Sequence, residues 1–154
     1  MNKTQNEITI TQIHKEIDLI QNCIERMAKN SFSCKGWNLT LIAGTFALVS
    51  EKVNKWYICI VILSINLCFW WLDSFFVLQE QKFRDKYEWV IIQRTKGNTD
   101  YLYDLNPNNT QMNLHPEKKR SLRATAISPT ILPMYGGITL LITAFTFFKL
   151  FGGI

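Results

Sequence analysis

Two groups of residues in this chain could bind or conduct something. The first is basic and aromatic. Lys118, Lys119, Arg120 and Arg123 lie close together, and Tyr101 and Tyr103 precede them in a polar stretch. Lys and Arg neutralise phosphates, and tyrosine rings stack on bases, so these six residues are candidates for an anionic ligand such as a nucleotide or an oligonucleotide. The same cluster, placed just before an apolar block, could equally anchor topology or touch anionic lipid. The second group is Asn66 and Asp73, an amide and an acid inside an apolar run. Such residues usually face protein or a water-filled path rather than lipid, which makes them pore candidates. In the alternative reading Asn66 pairs with a neighbouring helix, while Asp73 lies at headgroup depth near Lys35 or Arg84.

Other chemistry finds no foothold. His14 and His115 lack a Cys or carboxylate at metal-ligand spacing. There is no P-loop, GxGxxG, GxSxG or HExxH. Gly136 and Gly137 sit in an apolar span and cannot act as a phosphate loop. Asp73, Glu80 and Asp85 are too far apart along one helix to form a carboxylate dyad. Cys23, Cys34, Cys59 and Cys68 show no CxxC pair and read as free thiols. The sequence therefore predicts no catalysis, no cofactor and no metal.

The elements that must position these groups are apolar blocks with charge between them. Across 154 residues the net charge is +5, and the apolar residues gather in three runs. The central one, from Trp56, reads WYICIVILSINLCFWWLDSFFVL, and Asp73 is its single charge. It continues without Gly or Pro to Ile92, with Leu72, Phe76, Phe83, Tyr87 and Val90 on a helical stripe. At ~1.5 Å rise per residue the apolar part covers the ~30 Å core of a bilayer. The predicted element is one long helix that crosses a membrane and runs on into water. The block at 31–50 is weaker, with Lys35 able to snorkel and small residues Ala43, Gly44, Thr45 and Ala47 permitting close helix approach. The last block holds Gly136 and Gly137 near its start, where a kink or tight crossing is expected.

Near the N-terminus Ile10, Ile13, Ile17, Ile20, Ile24 and Met27 recur at alternating steps of three and four. A heptad seam of this kind favours helix association, and Ile at both core positions shifts preference towards three or four strands. The seam reads as an oligomer contact. Packing on the chain's own helix and lying on a lipid surface are the alternatives. Residues 95–111 read as a loop with a turn at Asn106-Pro107-Asn108, followed by the basic cluster on a short helix.

The predicted fold is all-α. A cytoplasmic amphipathic helix covers 1–30. A transmembrane hairpin covers 31–78, with spans at about 31–50 and 56–78. A cytoplasmic extension, loop and basic cluster cover 79–128, and a third transmembrane helix covers 129–154. Segment 1–35 carries five basic residues and segment 79–128 nine. The positive-inside rule then places the N-terminus and the 79–128 region in the cytoplasm and the C-terminus outside.

Three strings carry a resemblance: IERMAKNSFSCKGWNLTLIAGTFAL, then FWWLDSFFVLQEQKFRDKYEWV, then ILPMYGGITLL. Together they resemble small bacterial membrane effectors of anti-phage defence, similar to the channel effector of the Hailong system. The shared pieces are K-G-W before the first span, W-x-L-D with Q-E and F-R through the second, and P-x-Y-G-G opening the third. The resemblance implies a homotetrameric ion channel, partnered by a neighbouring nucleotidyltransferase whose oligodeoxynucleotide product holds the pore closed. Loss of that product would open the pore and depolarise the cell. The competing expectation is a membrane-anchored adaptor that recruits a soluble partner and conducts nothing.

Overall fold

A computed structural model describes residues 3–47, 55–114, 116 and 120–151. Its regular structure is helical throughout, with no strand among the described residues. Helix α1 is Lys3–Ala47, α2 is Lys55–Thr95, α3 is Leu122–Ala126 and α4 is Leu132–Phe151, with a 3₁₀ turn at Thr110–Met112. The all-α expectation is met. Among the described residues, one helix is long and apolar enough to cross a membrane, α2 over Tyr57–Thr95; the apolar part of α4, Leu132–Phe147, is shorter. Helix α1 runs unbroken through both the Ile seam and the first apolar block, because neither contains a proline. Of the basic cluster, the described residues are Arg120 and Arg123: Ser121 caps α3 by accepting the Ala124 N–H at 3.2 Å, so Arg123 lies on that helix and Arg120 precedes it.

The chain forms two compact units. Met1–Lys29 with Val77–Arg120 make a charged unit; Asn30–Phe76 with Ser121–Ile154 make an apolar unit. Helices α1 and α2 each supply residues to both.

In the charged unit, α1 contributes Ile20 and Cys23, and α2 contributes Phe83, Trp89 and Val90. Met112 from the 3₁₀ turn closes this core. Ile17, Ile24 and Met27 pack against it, so four of the six seam residues are engaged within the chain. Ile13 is half-buried, and Ile10 stays 53% exposed. The buried line of α1 here passes through Glu16, Ile20 and Cys23, steps of four and three, along one edge of the heptad stripe. Helix α2 ends on Gly97 at φ 75°, the left-handed closure that glycine adopts without steric cost. The Gly97 and Asn98 N–H groups return to Arg94 and Gln93 carbonyls at 3.0 Å.

In the apolar unit, α1 and α2 pair antiparallel: Ser31 meets Asp73, and seven residues on, Asn38 meets Asn66 seven residues back. Pro133 sits in the first turn of α4, where its missing N–H costs no helical bond. Trp70 stacks on Tyr135 with centroids 6.2 Å apart and donates its indole N–H to the Ala126 carbonyl at 3.0 Å. Gly136 leaves room for this packing, since a Cβ there would meet Leu132 Cδ1 at 3.1 Å and Trp70 Cη2 at 4.0 Å.

Candidate functional site

One face of α2 acts as a row of fasteners for the polar loop that follows it. Lys82, Lys86 and Arg94 recur at multiples of four and so share that face. Lys82 donates to Asn108 Oδ1 at 2.7 Å. Lys86 donates to the Asp104 and Asn106 carbonyls at 2.5 and 2.8 Å and pairs with the Asp104 carboxylate at 3.4 Å. Arg94 forms a two-pronged pair with Glu16, Nε to Oε2 at 2.8 Å and Nη2 to Oε1 at 2.9 Å. Its Nη1 also takes the Asn98 carbonyl at 2.6 Å and the Asp100 carbonyl at 3.2 Å. Asp85 secures the far end of the loop by a second bidentate pair, with Arg120 Nε at 2.9 Å and Nη2 at 2.8 Å.

These pairs set the local ionisation. Burial pushes the Lys86 ammonium below its ordinary value, and Asp104 offsets part of that. The Asn106 backbone N–H and the Asn109 amide hold the Asp104 carboxyl below the usual carboxylate range, and Lys86 adds to the effect. The Asp85 hydrogen bonds raise the Arg120 guanidinium still further above neutrality. Glu16 is fully buried and Arg94 nearly so. A pair of this kind repays its desolvation only when each lone pair and proton finds a partner. Here the loop carbonyls take the remaining Arg94 protons, and the Tyr103 N–H gives Glu16 Oε1 a further bond at 3.0 Å.

Tyr101 and Tyr103 are held in a conformation that side chains resist, at φ 57° and 61°. The left-handed region costs roughly 1–2 kcal/mol for such a residue, and the Arg94 and Glu16 bonds on either side maintain it. The two rings have different surroundings. Tyr101 stands edge-on to Trp89 with centroids 6.1 Å apart and is 46% exposed. Tyr103 reaches the Gln12 carbonyl through its hydroxyl at 3.2 Å.

Between α2 and the loop lies a cleft of about 240 Å³ lined by Lys82, Asp85, Asn108, Thr110, Asn113 and Arg120, among others. Of the ligand candidates, Arg120 lines it, and neither tyrosine does. Arg123 is exposed on α3 in the apolar unit. Lys118 and Lys119 lie outside the described residues, as does His115.

The apolar unit is built the other way round. Asp73 is fully buried, accepting from Ser31 Oγ at 2.5 Å and pairing with Lys35 at 2.6 Å; of the two cations the sequence offered it, Lys35 is the one it meets. Lys35 also donates to Ser31 Oγ at 2.8 Å. Asn66 is fully buried too. It accepts from Asn38 Nδ2 at 2.9 Å and donates to the Tyr135 carbonyl at 3.0 Å and Thr139 Oγ1 at 2.9 Å. Both pore candidates thus face neighbouring helices of their own chain. The outside is apolar: Phe32, Trp37, Trp71, Leu140, Leu141 and Phe147 are each 60% exposed or more.

Sequence reasoning passed over Glu16, Lys86, Arg94 and Asp104, and weighed Asp85 only as a carboxylate of a dyad. Glu16 reads as one more polar residue beside the seam, and its partner is 78 positions away. One available signal was the four-residue recurrence of cations on α2. All four cysteines are unbridged. Comparison of this chain with family models, with characterised proteins and with solved structures finds no match.

Proposed function

We propose that this protein is an oligomeric membrane effector that conducts ions across a bacterial inner membrane under control of an anionic cytoplasmic ligand. The observation that carries the membrane part is the inversion of the apolar unit. Its buried residues include Ser31, Asn38, Asn66, Asp73 and Ser74, while many of its large apolar side chains, such as Phe32, Trp71, Leu140, Leu141 and Phe147, face outward. Water would penalise that arrangement, and a bilayer favours it, because lipid offers no partner to a polar group. Within the unit, α1 from Asn30 to Ala47, α2 from Lys55 to Phe76 and α4 measure roughly 27, 33 and 30 Å at 1.5 Å per residue, the thickness of a hydrocarbon core. Three spans then place the termini on opposite sides, and the basic segments put the N-terminus and the charged unit in the cytoplasm.

Conduction is assigned to the polar line through Asn38, Asn66 and Asp73, the part of this unit able to exchange internal bonds for water. Gating is assigned to the charged unit, where a nucleotide or oligodeoxynucleotide would meet Arg120, Lys118 and Lys119, with Tyr101 and Tyr103 as further contacts. Oligomerisation, as a tetramer, uses what the seam leaves uncovered, Ile10 above all. Depolarisation in anti-phage defence is the role implied by the resemblance. No residue is assigned to catalysis.

Flux from liposomes containing the purified protein, with and without added oligodeoxynucleotide, tests this. Flux that responds to the oligonucleotide and falls in Asn66→Leu is expected. Absence of flux in both conditions overturns conduction and leaves the adaptor reading, in which Ile10 and its neighbours recruit a soluble partner.

A further inference from the structure

The cleft in the charged unit has a donor surplus that the described residues do not use. Lys82 carries three N–H donors, and among the described residues one is spent, on the neutral amide oxygen of Asn108. Arg120 carries five; its bonds to Asp85 and Gln81 use three. The Asn108 side-chain N–H₂ and the Thr110 hydroxyl add further donors on the loop wall. The carboxylate in the cleft, Asp85, is already committed to Arg120. Lys86, the third cation in the lining, is nearly buried and saturated by Asp104 and Asn106. Two cations line the cleft, Lys82 from α2 and Arg120 from the far end of the loop, and their unspent donors together with those of Asn108 and Thr110 suit the several oxygens of a tetrahedral anion. At about 240 Å³ the cleft is smaller than the ~300–1,000 Å³ typical of drug-sized ligands. Pro107, Met112 and Pro116 provide an apolar side against which a small organic body can rest.

We infer that this cleft binds one phosphoryl group of a small phosphomonoester, with Lys82 and Arg120 as its cationic contacts and Asn108 as the switch between empty and occupied states. Binding takes the Lys82 ammonium from Asn108 Oδ1 and so frees one fastener of the loop. The inference deepens the ligand part of the proposed function and rests on it only for the cytoplasmic setting. The phosphoryl group could belong to a soluble phosphomonoester or to a lipid headgroup, and the test separates the two.

Full-length protein in neutral phosphatidylcholine nanodiscs is titrated calorimetrically with inorganic phosphate and with glycerol 3-phosphate. A parallel set of nanodiscs carries phosphatidic acid, and protection of Lys82 from an amine reagent is read in both. Saturable glycerol 3-phosphate binding, one per chain, is expected, weakened about tenfold or more in Lys82→Ala and largely restored in Lys82→Arg. Lys82→Ala removes no buried ion pair, and an unchanged melting temperature confirms that the loop stays folded. Protection of Lys82 by phosphatidic acid alone assigns the same site to a lipid headgroup. Absence of both saturable binding and protection overturns the inference, as does equal affinity in the wild type and Lys82→Ala. Oligonucleotide-dependent flux that survives Lys82→Ala would leave the channel reading intact while this site fails. Phosphate binding without flux would do the opposite.

Discussion

The charged and apolar units draw on the same two long helices yet are built on opposite rules. In the charged unit, Ile20, Phe83, Val90 and Met112 are inside, and its buried ions are fasteners between helix and loop. In the apolar unit, Asn38, Asn66 and Asp73 are inside beside Ile62, Ile131 and Tyr135, and many large apolar side chains, among them Phe32, Trp71 and Leu141, are outside. A helix has no fixed inner face of its own; the surrounding solvent decides which side chains gain by being covered. Where water surrounds the helix, apolar area is worth hiding at ~25 cal/mol per Å². Where lipid surrounds it, that gain vanishes, and unsatisfied polar groups set the cost.

The sharpest way to break this contrast is to strip one partner from a fastener. Arg94→Ala leaves Glu16 buried without its cation and frees the loop carbonyls. A loss of about 3–5 kcal/mol from the charged unit is expected, read as early thermal unfolding and proteolysis between Gly97 and Leu114. The double variant Glu16→Leu/Arg94→Met removes both charges and should recover most of that loss. Leu141→Lys comes next. Leu141 is 69% exposed; in water the change should cost within about 0.5 kcal/mol, but in a bilayer it should cost about 2.5–3.5 kcal/mol. Ile92→Lys, at 38% exposure in the charged unit, is the matching control and should be close to neutral. A similar small effect at both positions would remove the lipid from the explanation. Asn66→Leu should cost about 1–2 kcal/mol, because it orphans the Asn38 amide while adding apolar surface. Detergent unfolding measures it.

The mildest expected effect is that of acid on the charged unit. The Asp104 carboxyl is depressed when folded, so the folded chain binds fewer protons than the unfolded one just below the ordinary carboxylate value. Its contribution is present above about pH 4 and is lost as pH falls through the depressed folded value. Lys86 titrates at the other end. Its folded value is lowered, so the burial penalty is present at neutral pH and is relieved as pH rises towards the ordinary lysine value. Amide exchange of Asn106 and Asn109 against pH reads the first effect. No loosening on acidification in the wild type, or the same loosening in Asp104→Asn, would detach Asp104 from the loop's stability.

Much of the fold was legible because periodicity and composition are local. The stripe Leu72, Phe76, Phe83, Tyr87 and Val90 required a helix through both apolar and charged sequence, and α2 is that helix. The loop after Thr95 followed from its Asn, Asp, Gly and Pro content. The Asn66 and Asp73 positions stood out as polar exceptions in an oily run, though which of Lys35 and Arg84 would meet Asp73 did not. The charged-unit site was much less legible. Tyr101 and Tyr103 drew notice for their rings, while their left-handed backbone, imposed by Arg94 and Glu16 from elsewhere, left no local trace.

Residue order alone determined where this chain would be helical, where it would turn and where an oily stretch would carry a charge, since neighbours along a helix govern those outcomes. Tertiary structure decided that Glu16 belongs with Arg94, Asp85 with Arg120 and Asn66 with Asn38. A carboxylate or an amide carries no preference for a particular distant partner until packing excludes water and leaves each group one bond worth making.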